Sequence, residues 1–405
     1  MRGGWLGWTR GVIVATAVTA AAGVVGGRVP RPGPVAAHAA PAMPAEPRAT
    51  PHRAWYRLGD LFPRYGGPVD PGPPPRGLAS VAPSECATCH AEIAAEWRSS
   101  AHARAFTNAV FRSEYALTPE RFCVQCHAPL APSSHADRGD LQERGVDCAV
   151  CHVRDGHVLG TRGAGDAEHA ARRDPRLRAS AFCGSCHQFD FPELEDPRAQ
   201  RYHPRRPLQD TLAEWRRSAF ARTPCQSCHM PQVAEAEQGE RGTRGGKPRR
   251  HVSHAFSTLD DRELLARALR VRGAVRRRGA ALEVTLELVP DRLGHAFPTG
   301  DMFRQGELIV RLGRATHRVT LQRIFAQTIT ADARGHLLGQ VDDTRVLPGQ
   351  RWRRRFRFDT AAAAHEVTWT LTLLRLEPDE ARRRGLPDEL VRVPIASGAL
   401  AVPSR

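Results

Sequence analysis

Apolar and polar residues alternate with a period of two along the last third of the chain, beyond Arg277. Such alternation places successive side chains on opposite faces of a β-strand. Turn-forming residues such as Leu347-Pro348-Gly349 separate the alternating segments, as expected between antiparallel strands. We predict a small antiparallel β-sandwich over residues 278–405. Its strands are expected at Ala281 to Val289, Glu307 to Leu312, His317 to Thr330, Arg351 to Phe358 and Glu366 to Leu376.

The preceding segment, residues 84–260, lacks this alternation and contains all ten cysteines. Its regular structure is expected as short helical pieces, such as Ala91 to Phe106 and Leu208 to Ala221. Aromatic residues make up only 6% of the chain, while Gly and Pro are abundant. Much of the segment must therefore pack against something other than its own side chains.

The N-terminus has the pattern of an export signal. Gly11 to Gly27 carries no charge and lies between Arg10 and Arg28, and Ala37-His38-Ala39 supplies a cleavage site. We predict a signal peptide over residues 1–39, with an uncleaved membrane anchor as the alternative. The protein is then expected to be periplasmic or otherwise extracytoplasmic, with anchoring to the inner membrane as the alternative. Residues 40–83, rich in Pro, Ala and Arg, are expected to form a linker or wrap.

One motif carries the chemistry. The sequence Cys-x-x-Cys-His occurs five times and uses every cysteine. Two thiols at this spacing bond two carbons on one edge of a porphyrin, while the adjacent histidine binds iron from below. The predicted haem attachments are Cys86, Cys89 and His90; Cys123, Cys126 and His127; Cys148, Cys151 and His152; Cys183, Cys186 and His187; and Cys225, Cys228 and His229.

The alternatives for these cysteines are zinc sites and disulfides, since Cys-x-x-Cys alone is a common zinc half-site and thiols oxidise outside the cytoplasm. Zinc does not require a histidine directly after the second cysteine each time, so five covalently bound haems, with iron, are predicted. The expected fold class is a multihaem cytochrome domain of short helices and loops packed around haems, with little sheet, followed by a small all-β antiparallel sandwich.

The net charge of +16 by itself suggests nucleic acid, an anionic membrane surface or an acidic protein as a partner. Five haems would bring up to ten propionates and reduce that charge to about +6. The arginines are spread along the whole chain, so no nucleic-acid binding is expected. The expected partners are redox proteins, with membrane association through the N-terminus as a further possibility.

The sixth ligand of each iron must come from elsewhere in the chain, and enough histidines remain for a second imidazole on every haem. The candidate distal ligands are His102, His254, His135 and His295. His157, His169, His203 and His251 are weaker candidates, and Met302 is an alternative to histidine.

An internal echo is visible. Glu96-Trp97-Arg98-Ser99-Ser100-Ala101-His102 recurs as Glu214-Trp215-Arg216-Arg217-Ser218-Ala219-Phe220. A helix with a buried tryptophan is therefore expected twice. Because Phe220 replaces His102, only the first copy can supply a ligand.

Several segments resemble the multihaem cytochromes related to the tetrahaem cytochrome that accepts electrons from hydroxylamine oxidoreductase. They are Cys86 to His90 with Glu96-Trp97 and Ser100 to Ala103, Cys123 to Leu130, Gly145 to His152, Cys225 to Pro231 and Gly294 to Gly300. The resemblance implies closely stacked haems with mostly His/His ligation, a periplasmic location and electron transfer. His102 is the distal ligand that the resemblance implies. Phe220 and the predicted C-terminal sandwich depart from the tetrahaem pattern.

Three functions follow from these patterns. The first is an electron carrier with closed, mostly bis-His haems and no catalytic residue. The second is a reductase or oxidase that acts on a small nitrogen or sulfur oxyanion at one open haem, although no Cys-x-x-Cys-Lys motif occurs. The third is a structural role, in which the predicted β-sandwich docks a partner or caps the haem domain.

Overall fold

The structure is a computed structural model, and it describes residues 69–117, 119–131, 139–163, 169, 171–192, 202–234, 243–244, 247–248, 250–259, 261–329, 336–359 and 365–403. The chain divides into two compact units, residues 1–52 and 53–405, and all described residues belong to the second. Below, residues 69–259 are called the N-terminal region and residues 269–403 the β-region. The predicted signal and its cleavage site lie outside the described residues.

Short helices dominate the N-terminal region. They are α1 (Pro83–Ala87), α2 (Ala91–Ser99), α3 (Ala109–Leu117), α4 (Arg121–His127), α5 (Gly139–Glu143), α6 (Cys148–His152), α7 (Ser180–His187), α8 (Thr211–Arg216) and α9 (Cys225–His229). Helices of this length are marginal on their own and depend on packing. Local caps help: Asp147 Oδ1 accepts hydrogen bonds from the backbone N–H groups of Ala149 and Val150 at the start of α6.

Short strands connect these helices. They are β1 (Val153–Arg154), β2 (His157–Gly160), β3 (Ala171–Arg173), β4 (Phe189–Pro192), β5 (Tyr202–Gln209), β6 (Gln232–Ala234), β7 (Thr243–Arg244), β8 (Lys247–Pro248) and β9 (Arg250–Val252). They form small sheets in the orders β1-β2-β3, β4-β5, β6-β9 and β7-β8.

Two of the predicted helices are shorter than expected. The helix predicted from Ala91 to Phe106 ends at Ser99, because Ser100 is extended. The helix predicted from Leu208 to Ala221 is wrong at both ends. It runs only from Thr211 to Arg216, since the preceding residues belong to β5, where Gln209 pairs with Phe189 of β4.

The β-region contains longer strands. After α10 (Arg262–Ala268) come β10 (Leu269–Arg278), β11 (Ala281–Pro290), β12 (Gln305–Leu312), β13 (Ala315–Leu321), β14 (Arg323–Ile329), β15 (His336–Asp343), β16 (Trp352–Phe358), β17 (Glu366–Leu374), α11 (Pro378–Arg383), α12 (Asp388–Val391) and β18 (Arg392–Ala401). The strands form antiparallel sheets in the orders β10-β11-β16, β13-β12-β17-β18 and β14-β15.

One apolar core joins the two larger sheets. Leu282, Val284, Leu286 and Leu288 alternate along β11 and are fully buried. They belong to a single cluster that also contains residues of β12 and β17, such as Leu308. Burial of alternate residues on facing sheets is the physical basis of two-layer β-packing, and it confirms the all-β antiparallel character predicted for this part of the chain.

Most predicted strands of the β-region are present, but one of them is divided and three further strands were not predicted. The segment predicted as one strand from His317 to Thr330 is divided at Gln322 into β13 and β14, which belong to different sheets. Strands β10, β15 and β18 were not predicted. In β10, arginines occupy many positions and hide the alternation. The sheet therefore begins at Leu269, upstream of the boundary predicted at residue 278.

The part of the predicted linker that the structure describes begins at Val69 and packs against the rest of the N-terminal region. Val69 is buried with Val150 and Leu159, and its N–H donates to the carbonyl oxygen of Pro129 at 2.7 Å. These contacts are typical of a wrap. Within the described ranges, no helix is both long and apolar enough to cross a membrane.

Candidate haem sites

Each Cys-x-x-Cys-His motif lies on or beside a short helix. Motifs two to five are within α4, α6, α7 and α9, which end at the motif histidine, and the first motif spans α1 and the turn after it. Helical spacing of three residues places both cysteines of a motif on one side of the helix. All ten cysteines are free thiols, so the structure contains none of the disulfides considered above.

Four motif histidines face a second histidine from another part of the chain. The pairs and their centroid separations are His90 with His169 (6.1 Å), His152 with His254 (6.1 Å), His187 with His102 (6.2 Å) and His229 with His295 (6.1 Å). The four separations differ by only 0.1 Å although the loops that carry the second histidines are unrelated in length and position. The gaps therefore have a common cause.

The gaps have the width that a hexacoordinate iron between two imidazoles would need. With metal–imidazole bonds of about 2 Å and about 1.1 Å from nitrogen to ring centroid, two imidazoles on opposite sides of one metal have centroids about 6 Å apart. The paired rings thus fit the axial positions of a haem, and the two thiols of each motif fit its edge. Among the described residues, no group of three or more His, Cys, Asp or Glu side chains is arranged to hold a bare metal ion.

Three of the paired rings are held as neutral imidazoles. Burial lowers the pKa of His102 to about 3, with a further contribution from His187. Burial, followed by the charge of His152, lowers the pKa of His254 to about 4. Burial also lowers the pKa of His187 to about 4. A neutral imidazole with a free nitrogen is the form that binds a metal.

Backbone carbonyls accept from Nδ1 of three of the paired rings and so select the nitrogen that faces the gap. The Nδ1–H groups of His152 and His229 donate to the carbonyl oxygens of Leu159 (2.9 Å) and Ser257 (2.6 Å). In the facing ring of one site, Nδ1–H of His254 donates to Val252 O at 2.8 Å. These bonds leave Nε2 for the metal and fix the ring orientation, as outer-shell partners of metal-binding histidines commonly do.

The second motif differs from the others. The ring of Phe111 lies flat on that of His127, with centroids 3.8 Å apart and planes 13° apart. His127 Nδ1–H donates to Ala105 O at 2.7 Å, so its Nε2 is also available. Within the described part of the chain, the ring packed on His127 is therefore phenylalanine and not imidazole. The candidate His135 lies outside the described residues.

Contacts between thiols show that the motifs are close together. Cys86 of the first motif contacts Cys148 of the third, and this contact lowers the pKa of Cys86. Cys186 of the fourth motif contacts Cys126 of the second, while the contact with Cys183 lowers the pKa of Cys225 to about 6. The fourth motif thus contacts both the second and the fifth.

Three of the four predicted distal candidates, His102, His254 and His295, face a motif histidine. His169, which also faces a motif histidine, was predicted only as a weaker candidate, because it lies in a Gly- and Ala-rich segment without a helix or aromatic neighbour to mark it. The weaker candidate His251 contacts Glu96 instead of facing a motif histidine, with Nε2 3.1 Å from Oε1.

Comparison with known proteins agrees with this geometry. Residues 85–153 match the family model of cytochrome c554 and c-prime. No curated protein matches the sequence. The structure is similar to that of a penta-heme cytochrome c552 from Thermochromatium tepidum, with a TM-score of 0.62 and 19% identity over 81% of this chain and 100% of that one. A Bordetella pertussis protein assigned as ApaA matches 34% of this chain and 94% of its own with 14% identity and a TM-score of 0.16. The similarity to the penta-heme cytochrome shows that this chain has the fold of a multihaem cytochrome.

Proposed function

We propose that this chain is an exported c-type cytochrome that holds five haems and transfers electrons between redox proteins. The observation that carries the proposal is the set of four histidine pairs, each 6.1–6.2 Å apart and each including the histidine of a Cys-x-x-Cys-His motif. The family-model match over residues 85–153 and the penta-heme structural neighbour support it.

The cysteines and histidines of each site would have different roles. The ten cysteines would hold the haems covalently, and the five motif histidines would bind iron on one side. His169, His102, His254 and His295 would bind iron on the other side of the first, fourth, third and fifth haems. The cofactor supplies one-electron exchange between ferric and ferrous iron.

Closed coordination favours a carrier over a catalyst. Two imidazoles on one iron leave no position for a substrate, and their neutral charge and burial favour a stable low-spin centre. The motifs lie close enough for their thiols to touch, as Cys126 and Cys186 do. Short distances between adjacent sites suit electron transfer without group-transfer chemistry.

Intact mass and spin state test this function. Protein produced in a host that attaches haem c is expected to weigh five haems more than its polypeptide and to show mainly low-spin ferric signals in paramagnetic resonance. Replacing both cysteines of one motif with alanine should remove one haem. A colourless protein with the mass of the bare polypeptide would contradict the proposal.

Export is part of the proposal, because haem c attachment occurs outside the cytoplasm and residues 1–39 have the pattern of a signal. Fractionation of cells that make the full chain should place it in the periplasm or on the outer face of the inner membrane. Replacement of Arg2 and Arg10 with glutamate is expected to leave it unprocessed and without haem. A processed haem protein in that variant would contradict export through this segment.

A second candidate function rests on the contact between Phe111 and His127. If the second haem has His127 alone, its open position could bind a small nitrogen or sulfur oxyanion for reduction or oxidation. Cyanide or carbon monoxide should then bind one haem of the wild type, and His135→Ala should not increase the amount bound. Binding that appears only in His135→Ala would identify His135 as a ligand and remove this candidate.

A further inference from the structure

The dipeptide Glu96-Trp97 of α2 contacts both halves of the site formed by His152 and His254. The indole N–H of Trp97 donates to the carbonyl oxygen of Val146 at 2.8 Å. Val146 lies two residues before the first cysteine of the third motif. Glu96 Oε2 accepts a hydrogen bond from the backbone N–H of His254 at 2.8 Å. One dipeptide therefore fixes the backbone before the motif and the backbone of the facing histidine.

The dipeptide Glu214-Trp215 of α8 makes the equivalent contacts at the site formed by His229 and His295. The indole N–H of Trp215 donates to Thr223 O at 2.9 Å, and Thr223 lies two residues before the first cysteine of the fifth motif. Glu214 Oε2 accepts a hydrogen bond from the backbone N–H of Ala296 at 3.1 Å. Ala296 directly follows the facing histidine.

The two facing segments are also alike. His254-Ala255-Phe256 and His295-Ala296-Phe297 share the sequence His-Ala-Phe, and each is held through a backbone N–H by a glutamate more than 80 residues earlier. The glutamates differ in environment. Glu214 is 4% exposed and pairs with Arg345 at 2.7 Å, whereas the side chain of Glu96 is 24% exposed and accepts from His251 at 3.1 Å.

We infer that each Glu-Trp dipeptide is a positioning clamp for one haem site, Glu96-Trp97 for the third site and Glu214-Trp215 for the fifth. The indole holds the segment that leads into the motif, and the carboxylate holds the His-Ala-Phe segment at the distance that two axial imidazoles need. This inference rests on the proposed function. It also gives the second copy of the echo a role that does not need a histidine, which explains why Phe220 can stand where the first copy has His102.

The physical basis is the strength of a charged acceptor. A hydrogen bond from a backbone N–H to an ionised carboxylate is stronger than one to a neutral group, and it strengthens further when water is excluded. Tryptophan adds a rigid body and a single directional donor. A small displacement of either segment would widen the gap between the rings and weaken the bond from the facing histidine to iron.

Four single variants and their combinations test the clamp. Glu96→Ala is expected to convert the third haem to high spin and to give the same spectrum as His254→Ala. Glu214→Ala should instead reproduce His295→Ala. Because each pair acts on one haem, Glu96→Ala/His254→Ala should lose no more low-spin signal than His254→Ala alone. Glu96→Ala/His295→Ala should lose the signals of both haems.

Matched variants separate positioning from general stability. Glu307→Ala removes another buried carboxylate, which pairs with Arg318 and Arg392 in the β-region, and should lower the unfolding midpoint without changing spin state. Glu96→Gln and Glu214→Gln keep an acceptor for the backbone N–H, so they should retain more low-spin signal than the alanine variants. They also serve where an alanine variant fails to accumulate.

Intact mass distinguishes the two proposals. A wild type without haem would end the proposed function and the clamp together. A wild type with five haems whose spectrum is unchanged in Glu96→Ala and Glu214→Ala would overturn the clamp and leave the proposed function in place. A loss of low-spin signal in Glu307→Ala equal to that in Glu214→Ala would also overturn it.

Discussion

The β-region and the N-terminal region differ in what fills their interiors. In the β-region, leucines, valines and phenylalanines from two sheets form one large apolar cluster. In the N-terminal region, the buried apolar residues form small clusters around Val150 and Phe106. Motif histidines of that region instead face second histidines across gaps of nearly constant width.

This contrast shows two ways to stabilise a fold. The β-region gains its stability from apolar burial, which contributes roughly 25 cal/mol per Å². The N-terminal region has helices of five to nine residues that would not persist alone. On the proposed function, the haems are its missing core, and the chain supplies thioether and axial bonds where the β-region supplies leucines.

The largest expected effect comes from withholding haem. In a host without haem c attachment, the N-terminal region is expected to remain unfolded while the β-region keeps its strands. Limited proteolysis should then remove residues before about 260 and leave a resistant C-terminal fragment, with far-ultraviolet dichroism typical of β-structure. An N-terminal region that resists protease without haem would break the comparison.

Core truncations sharpen the comparison. Leu308 is fully buried in the large cluster, so Leu308→Ala is expected to lower the free energy of unfolding by about 3–5 kcal/mol. Leu177 is 8% exposed and lies in a small cluster, so Leu177→Ala is expected to lower the free energy of unfolding by only about 2 kcal/mol. Denaturant titrations of the haem-loaded proteins measure both. Equal losses would show that the small clusters contribute as much as the large one.

Arg345 links the two regions. Its side chain is 5% exposed, pairs with Glu214 and Asp343, and donates to Pro298 O. Arg345→Met would leave Glu214 as a buried carboxylate without a cation, and we expect it to lower the free energy of unfolding by about 3 kcal/mol. The same titrations measure this loss. An unchanged free energy of unfolding would mean that this contact between the regions does not contribute to stability.

The smallest expected effect concerns Asp174, whose carboxylate accepts hydrogen bonds from Arg176. These bonds hold the pKa of Asp174 below its ordinary value. The stabilisation is therefore present above the pKa of an unfolded aspartate and is lost as the pH falls through the lower folded pKa.

Asp174→Asn should lower the free energy of unfolding by about 1 kcal/mol at pH 7. The difference from wild type should shrink with acid. Thermal unfolding across the acidic range measures it, and a difference independent of pH would exclude the ion pair as its cause.

The sequence predicted features that depend on local pattern. Strand β11 was recognised because its apolar residues alternate, and the motifs were recognised from their spacing. His102, His254 and His295 had aromatic or helical neighbours that marked them. His169 had none, because its role depends on the distance to a ring 79 positions away in the chain. Leu208 and Gln209 were predicted to be helical, because the pairing of β5 with β4 that makes them a strand is a tertiary contact with no local signal.

The position of His295 in the chain sets an order of assembly. The second rings of the first, third and fourth sites all precede residue 260, whereas His295 follows β11 and is held near Glu214 only when the β-region is in place. If the chain is exported N-terminus first, as proposed, the fifth site is the last of these to be completed. A chain truncated after residue 290 should then acquire its haems with one of them lacking a second imidazole. The coordination of the fifth haem would therefore distinguish a complete chain from an incomplete one.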